Sequence, residues 1–373
     1  MNRRQCAIAA LVMRIGIWSA EARGDATAPV APAPAPTVTV PAPVTIAIGE
    51  YTSPTRAGID AFVIPNVTNL MADSDPPTQT KARDNLSAAT SPGGALAQPG
   101  FLLVYCQSLN AVLTAKLAPA AKATLRQRLN IAIVAQRVAA VSENAALQPT
   151  TLRLINDPAE PVVLWGMRAV QPQVKVVLNT RAPGAAVPPL IAAILPATLK
   201  HPSGPVYEAA YKALDYNDQI AVDQLMKLWG TRLAKYQEKA VPDDPEVDKG
   251  PVYTLSTATM WTTVVLNNKV LQTKIMQNLS DQLAMAAQWA DKTPAGDTHD
   301  QLIRLTQQCS GAASVVGGTQ KIPALVSAAT NGTKPDPKSW PAGQKIGPVV
   351  APILVEIGNA FKGVQPPPVV AGG

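Results

Sequence analysis

The sequence predicts a mainly α-helical protein, and three observations carry that prediction. Apolar residues recur at helical spacing along most of the chain. Ala, Val and Leu supply most of an apolar content of 47%, while aromatic residues make up only 4%, a mixture that suits close helix packing better than an aromatic-rich β-sandwich. No succession of alternating strand and helix patterns occurs. At 373 residues with 15% charged, the chain can bury a sizeable core, and length alone suggests about two domains.

The elements follow in order. Arg3 and Arg4 precede the mainly apolar Ala7–Ala20, and Ala20-Glu21-Ala22 fits a small-x-small cleavage site. Residues 1–22 therefore read as a secretory signal peptide cut after Ala22. Arg14 interrupts the apolar stretch, and an Arg-rich, acid-poor transit peptide is the competing reading. Cys6 lacks the small apolar residues that precede a lipidated cysteine. Residues 23–52 form a Pro/Ala-rich linker, in which Ala28–Pro43 (APVAPAPAPTVTVPAP) favours polyproline II. Val44, Ile46 and Ile48 alternate with Thr45 and Ala47 as one short strand. A helical domain is expected over 53–363. The tail 364–373, which from Gln365 reads QPPPVVAGG, is expected to be disordered.

Within the domain, Leu102, Cys106, Leu109, Leu113 and Leu117 lie on one helix face, and Pro119 ends that stripe. Ile131, Val134, Val138 and Val141 repeat the pattern before a turn near Asn144. Val222, Met226, Trp229, Leu233 and Tyr236 give the cleanest stripe. Met260, Val264, Leu271, Ile275, Leu279 and Leu283 give a longer one, with Asn267-Asn268 as its break. Shorter helices are expected over 300–313, 322–329 and 349–361.

Self-comparison finds a duplication. Residues 157–170 (DPAEPVVLWGMRAV) and 201–214 (HPSGPVYEAAYKAL) align at an offset of 44. Pro158, Pro161, Val162 and Ala169 match Pro202, Pro205, Val206 and Ala213, while Gly166, Arg168 and Val170 correspond to Ala210, Lys212 and Leu214. Pro161 and Pro205 suit a first helical turn, where the missing N–H goes unused. Gly166 and Ala210 then permit close approach of neighbouring helices. Gly250-Pro251-Val252-Tyr253 repeats Gly204-Pro205-Val206-Tyr207 at an offset of 46. This recurrence resembles a HEAT-type repeat, centred on 157–214 and extending over about 100–290. The resemblance implies stacked helix pairs in a solenoid. Pro196 and the long interval 171–187 depart from a regular repeat, and an irregular helical bundle is the alternative.

Only His201 and His299 supply imidazole. His201 falls at the turn before Pro202. Asp297, His299 and Asp300 open a helix, where Asp297 can cap and Asp300 favours the positive end; the same three are the weak candidates for a metal. Asp243, Asp244, Glu246 and Asp248 read as a solvated acidic turn, although alternating carboxylates could collect a hard cation. Gly311, Gly317 and Gly318 lack the Gly-Lys-Ser/Thr ending of a phosphate loop, and no G-x-S-x-G, H-E-x-x-H or G-x-G-x-x-G occurs. Cys106 and Cys309 are expected as two buried thiols, and Trp165, Trp229, Trp261 and Trp289 as interhelix core. Asn66, Asn85, Asn278 and Asn331 each begin a glycosylation triplet, Asn278 within an expected helix.

The formal charge of +7 is scattered singly rather than gathered into a stripe able to neutralise phosphates, so no nucleic-acid partner is implied. No apolar run after the leader is long enough to span a bilayer, and no cofactor is implied. The functional expectation is an exported, periplasmic or secreted scaffold that binds a protein partner. Tyr207, Tyr211 and Tyr216 are expected as exposed contacts, and Arg168 and Lys212 as matching residues along one ridge. The alternative is an exported cell-envelope hydrolase drawing on Asp297, His299, Asp300 and the 243–248 carboxylates.

Overall fold

The computed structural model describes residues 55–369 apart from 73–74, 183, 239–240, 318–320 and 330–344. The leader, the linker, the strand expected at 44–48 and residues 370–373 lie outside the described residues. Among those described, every regular element is helical, and no helix is long and apolar enough to cross a membrane.

The first helices are α1 (Thr55–Leu70), α2 (Pro76–Ala88), α3 (Pro99–Lys116), α4 (Leu125–Ser142), α5 (Gln148–Ile155) and α6 (Glu160–Thr180). The chain then passes through the short α7 (Pro189–Ala192) and α8 (Ile194–Lys200) to α9 (Gly204–Ala213), α10 (Gln219–Gln237) and α11 (Lys249–Ser256). A bent stretch, 258–265, leads to α12 (Lys269–Lys292), α13 (Asp297–Gly317), α14 (Lys321–Ala329) and α15 (Gly347–Ala360).

Local chemistry sets these boundaries. Thr124 and Gln127 form a reciprocal capping box at α4, with Gln127 N donating to Thr124 Oγ1 at 3.3 Å and Thr124 N to Gln127 Oε1 at 2.8 Å. Asn268, at the expected break, caps α12 by accepting from Leu271 N at 3.0 Å. Pro161 and Pro205 both stand in first helical turns. Pro196 does the same in α8, so the chain accommodates it by dividing into α7 and α8.

Helices alternate between two layers. Helices α1, α3, α5, α7, α10 and α12 pack successively in one, and α2, α4, α6, α9, α11 and α13 in the other. This arrangement is compatible with a helical-repeat fold. Two apolar cores result. The first contains Val63, Leu86, Leu109, Ile131 and Val138; the second runs from Leu190 through Trp229 and Leu283 to Leu305 and Ile353. They meet on α5 and α6, where Leu154, Val162 and Ala169 face the first core and Ile155, Met167 and Val170 the second.

The duplicated segments lie side by side. His201 Nε2 is 3.1 Å from the Asp157 carbonyl oxygen, joining the turns that precede α9 and α6. At their other ends, Tyr216, just beyond α9, donates through Oη to Asn179 Oδ1 in the last turn of α6 at 2.6 Å. Contacts at both ends make α6 and α9 run in the same direction. Val162 and Val206 are both buried. A Cβ on Gly166 would lie 2.9 Å from Leu154 Cβ, so glycine lets α6 press against α5.

Cys106 and Cys309 are buried, unpaired thiols. Trp229 is core, donating to Gln282 Oε1 at 3.0 Å, while Trp165, Trp261 and Trp289 are half-buried. Asn66 is buried and donates to Phe62 O at 2.9 Å, which removes it as a glycosylation acceptor. The expectation of a disordered tail fails over 364–369. Gln277 on α12 donates to Gln365 O at 3.0 Å and accepts from Gln365 N at 2.8 Å, and Gln288 donates to Pro368 O at 3.0 Å.

Candidate functional site

The acidic turn between α10 and α11 is solvated only in part: Asp243 and Asp244 are exposed, as expected, but Asp248 is not. It folds as a 3-10 turn, Pro245–Asp248, that carries Asp248 into the core. Asp248 is 0% and Arg232 1% exposed. Arg232 Nε lies 3.0 and 3.2 Å from the two Asp248 carboxylate oxygens, while its Nη2 donates to the carbonyls of Asp243 at 2.5 Å and Asp244 at 2.9 Å. Tyr236 Oη donates to Asp248 Oδ2 at 2.8 Å, and Tyr211 Oη to Asp248 Oδ1 at 3.2 Å. The Tyr207 ring lies 4.9 Å from the guanidinium carbon of Arg232.

Burial raises the Asp248 carboxyl above its ordinary value, against the opposing pull of Arg232 and its phenol donors. Burial works most strongly against the Arg232 charge, but Asp248, Tyr211 and Tyr236 together outweigh it and hold the guanidinium above its ordinary value. The Tyr211 and Tyr236 phenols are raised well above theirs, first by burial and then by the Asp248 charge. A carboxylate saturated in this way is a fixed structural anchor. It holds α9, α10 and the start of α11 together.

Tyr207 and Tyr211 are thus corrected from exposed contacts to core residues. Their positions one turn apart on α9 face the Arg232–Asp248 pair rather than solvent, because the phenol of Tyr211 is needed by the carboxylate. Sequence reasoning missed Arg232. The available signal was a basic residue three positions after Trp229 and four before Tyr236, on the side of the cleanest apolar stripe.

The anchored helices form the wall of a cleft of about 550 Å³, lined by Glu208, Tyr211, Lys212, Asp215, Lys249 and Tyr253 among others. Gly250 lies at its floor, where a Cβ would stand 3.2 Å from Tyr211 Cδ2. The GPVY repeat diverges in its last residue: Tyr207 is 0% exposed, whereas Tyr253 is 62% exposed on the rim. Ion pairs brace the walls, Lys212 with Glu208 at 2.6 Å and Glu246 with both Lys249 at 2.5 Å and Arg304 at 2.7 Å. Burial opposes ionisation of Glu246, but hydrogen bonds from Arg304 and Lys249 hold its carboxyl below the ordinary value.

A second groove of about 380 Å³ runs beside it, lined by Arg168, Gln171, Lys175, Lys212, Asp215 and Tyr216 among others. The structure therefore brings Arg168 and Lys212 to one groove, both exposed, with the Arg168 guanidinium 4.9 Å from the Trp165 ring. Lys212 and Asp215 line both depressions. Comparison with protein-family models, curated proteins and solved structures gives no match. The functional reading rests on the surface itself.

Asp297, His299 and Asp300 occupy the first turn of α13, with His299 Nδ1 3.5 Å from Asp300 Oδ1. Neither cleft includes them, although Glu246 reaches α13 through Arg304. Among the described residues, no three His, Cys, Asp or Glu side chains are placed to hold a metal ion.

Proposed function

We propose that this chain is an exported, non-catalytic binding scaffold of HEAT-type helical-repeat architecture. Its partner is a protein met in the periplasm or at the cell exterior. The contact face is that of α6, α9 and α11. The observation that carries this reading is the pair of clefts meeting at Lys212 and Asp215, with Arg168 at one end and the exposed Tyr253 at the other. Charges of both signs offer complementarity to a polypeptide rather than to a uniformly charged polymer. Tyrosine and arginine are the side chains that contribute most at protein interfaces. The basic n-region, the apolar stretch and the Ala20-Glu21-Ala22 site support export.

Site-specific photo-crosslinking tests the reading. A p-benzoylphenylalanine placed at Tyr253 or at Arg168, in intact cells, should yield the same discrete protein adduct. The same probe at the exposed Val315 of α13 should not. Tyr253→Ala combined with Arg168→Glu should lower partner recovery at least tenfold with unchanged helical circular dichroism. Adducts no different from those at Val315 would exclude this face as the binding surface.

A further inference from the structure

The seated tail has the chemistry of a bound peptide. Glutamines 277 and 288 are eleven residues apart on α12, three helical turns, and so share one face. Gly347 and Gly358 have the same spacing on α15. A Cβ at Gly358 would lie 3.1 Å from Pro366 Cδ, and one at Gly347 would lie 2.7 Å from Val369 Cγ1. Asp291 of α12 caps the start of α15, accepting from Ile346 N at 2.5 Å and Gly347 N at 2.8 Å. Pro366 lies at the α15 end opposite to that cap. The two helices are therefore antiparallel walls of a groove, with glutamines on one side and glycines on the other.

The segment in that groove, Gln365-Pro366-Pro367-Pro368-Val369, offers few backbone donors, because proline has no N–H. Gln277 satisfies the one N–H and C=O pair at Gln365, and Gln288 takes the Pro368 carbonyl. Pro366 and Val369 are the side chains seated against the glycines, whereas the Pro368 ring is exposed and only its carbonyl is taken; the order of the seated segment is x-Pro-x-Pro-Val. The same pattern occurs once more in this chain, at Val40-Pro41-Ala42-Pro43-Val44, outside the described residues.

We propose that the α12–α15 groove is a polyproline-binding site that the tail occupies in cis, and that its exchange ligand is the Val40–Val44 segment of a second copy. Proline-rich segments suit such exchange, since their extended form loses little entropy on docking. A second copy is the source because α1, which follows the segment, packs on α2, α3 and α4 in the first core, whereas α12 and α15 belong to the second. Exchange joins the beginning of one chain to the end of the next, a head-to-tail contact.

The test uses the full-length chain carrying Pro366→Asp and Val369→Asp, which unseat the tail. A fluorescent peptide of residues 37–47 should bind this variant at least tenfold more tightly than the parent chain, by anisotropy. Adding Gly358→Leu should abolish binding. In sedimentation, the released chain should associate, and deletion of 40–44 should return it to monomer. A helical, released chain that binds no peptide overturns the site. Peptide binding by a chain that stays monomeric overturns the second copy as source. If the released variant does not fold, amide exchange at Gln365 in the parent chain decides: added peptide should accelerate it, and an unchanged rate at millimolar peptide overturns the proposal.

Discussion

Removing water from a guanidinium and a carboxylate is unfavourable by several kcal/mol per ion. At Arg232 and Asp248 that loss is offset only because both carboxylate oxygens and two of the guanidinium nitrogens are engaged. Asp248→Ala leaves the arginine buried without its counter-charge and should lower stability by ~3–5 kcal/mol in urea unfolding. Replacing both, as Arg232→Met with Asp248→Leu, should lose far less; equal losses for single and double variants would show that the pair itself does not set the cost. Glu246 gives a pH signature. Its folded value lies below the ordinary 4.5, so its contribution is complete above 4.5 and is lost as pH falls through the folded value. The melting-temperature advantage of the parent over Glu246→Gln should therefore hold at pH 7 and shrink progressively below about pH 4.5. Asp248, raised instead of lowered, has the opposite slope, but it is present in both chains and cancels from the comparison. An advantage independent of pH would mean that the contacts of Glu246 do not depend on its charge.

At the scale of elements, the glycines define how closely helices approach. Gly166→Leu puts a branched side chain where even a Cβ would stand 2.9 Å from Leu154 Cβ. Strain should outweigh leucine's better helix propensity, with a net loss of ~1–3 kcal/mol. Ala210→Leu, at the fully buried equivalent position on α9, should lose a similar amount, measured by thermal unfolding. A neutral result at Gly166 would mean that α5 and α6 can separate without loss. This approach was legible in the sequence, because the prolines fix helix starts and the small residues fall at matching offsets from them. The stripes of α3, α4, α10 and α12 were legible for the same reason: a helix presents one face every three or four residues. What escaped was long-range. A turn with four carboxylates looks solvated unless the arginine that draws one of them inward is known, and Arg232 stands sixteen residues away from Asp248. The tail escaped likewise, since glutamine side chains on α12 supply the hydrogen bonds that its prolines cannot supply themselves.

Across the whole molecule, stability should be distributed in two parts rather than shared uniformly. In a layered array each helix touches only near neighbours, so a local loss propagates along the chain only as far as the interfaces carry it. The two cores share α5 and α6 and are otherwise separate. Trp229 stands in the middle of the second core, fully buried and hydrogen-bonded to Gln282 of α12. Trp229→Ala should remove ~3–5 kcal/mol through lost burial and the cavity left behind. Hydrogen exchange by mass spectrometry should locate that loss. Amides of α9, α10, α12 and α13 should exchange faster, whereas those of α1, α3 and α4 should keep parental rates, with α6 intermediate because it faces both cores. Uniform acceleration over α1 to α15 would mean that the two cores unfold as one cooperative unit. In that case α6 transmits the full perturbation across the array, and a ligand bound on the α6–α9–α11 face would stabilise both halves equally.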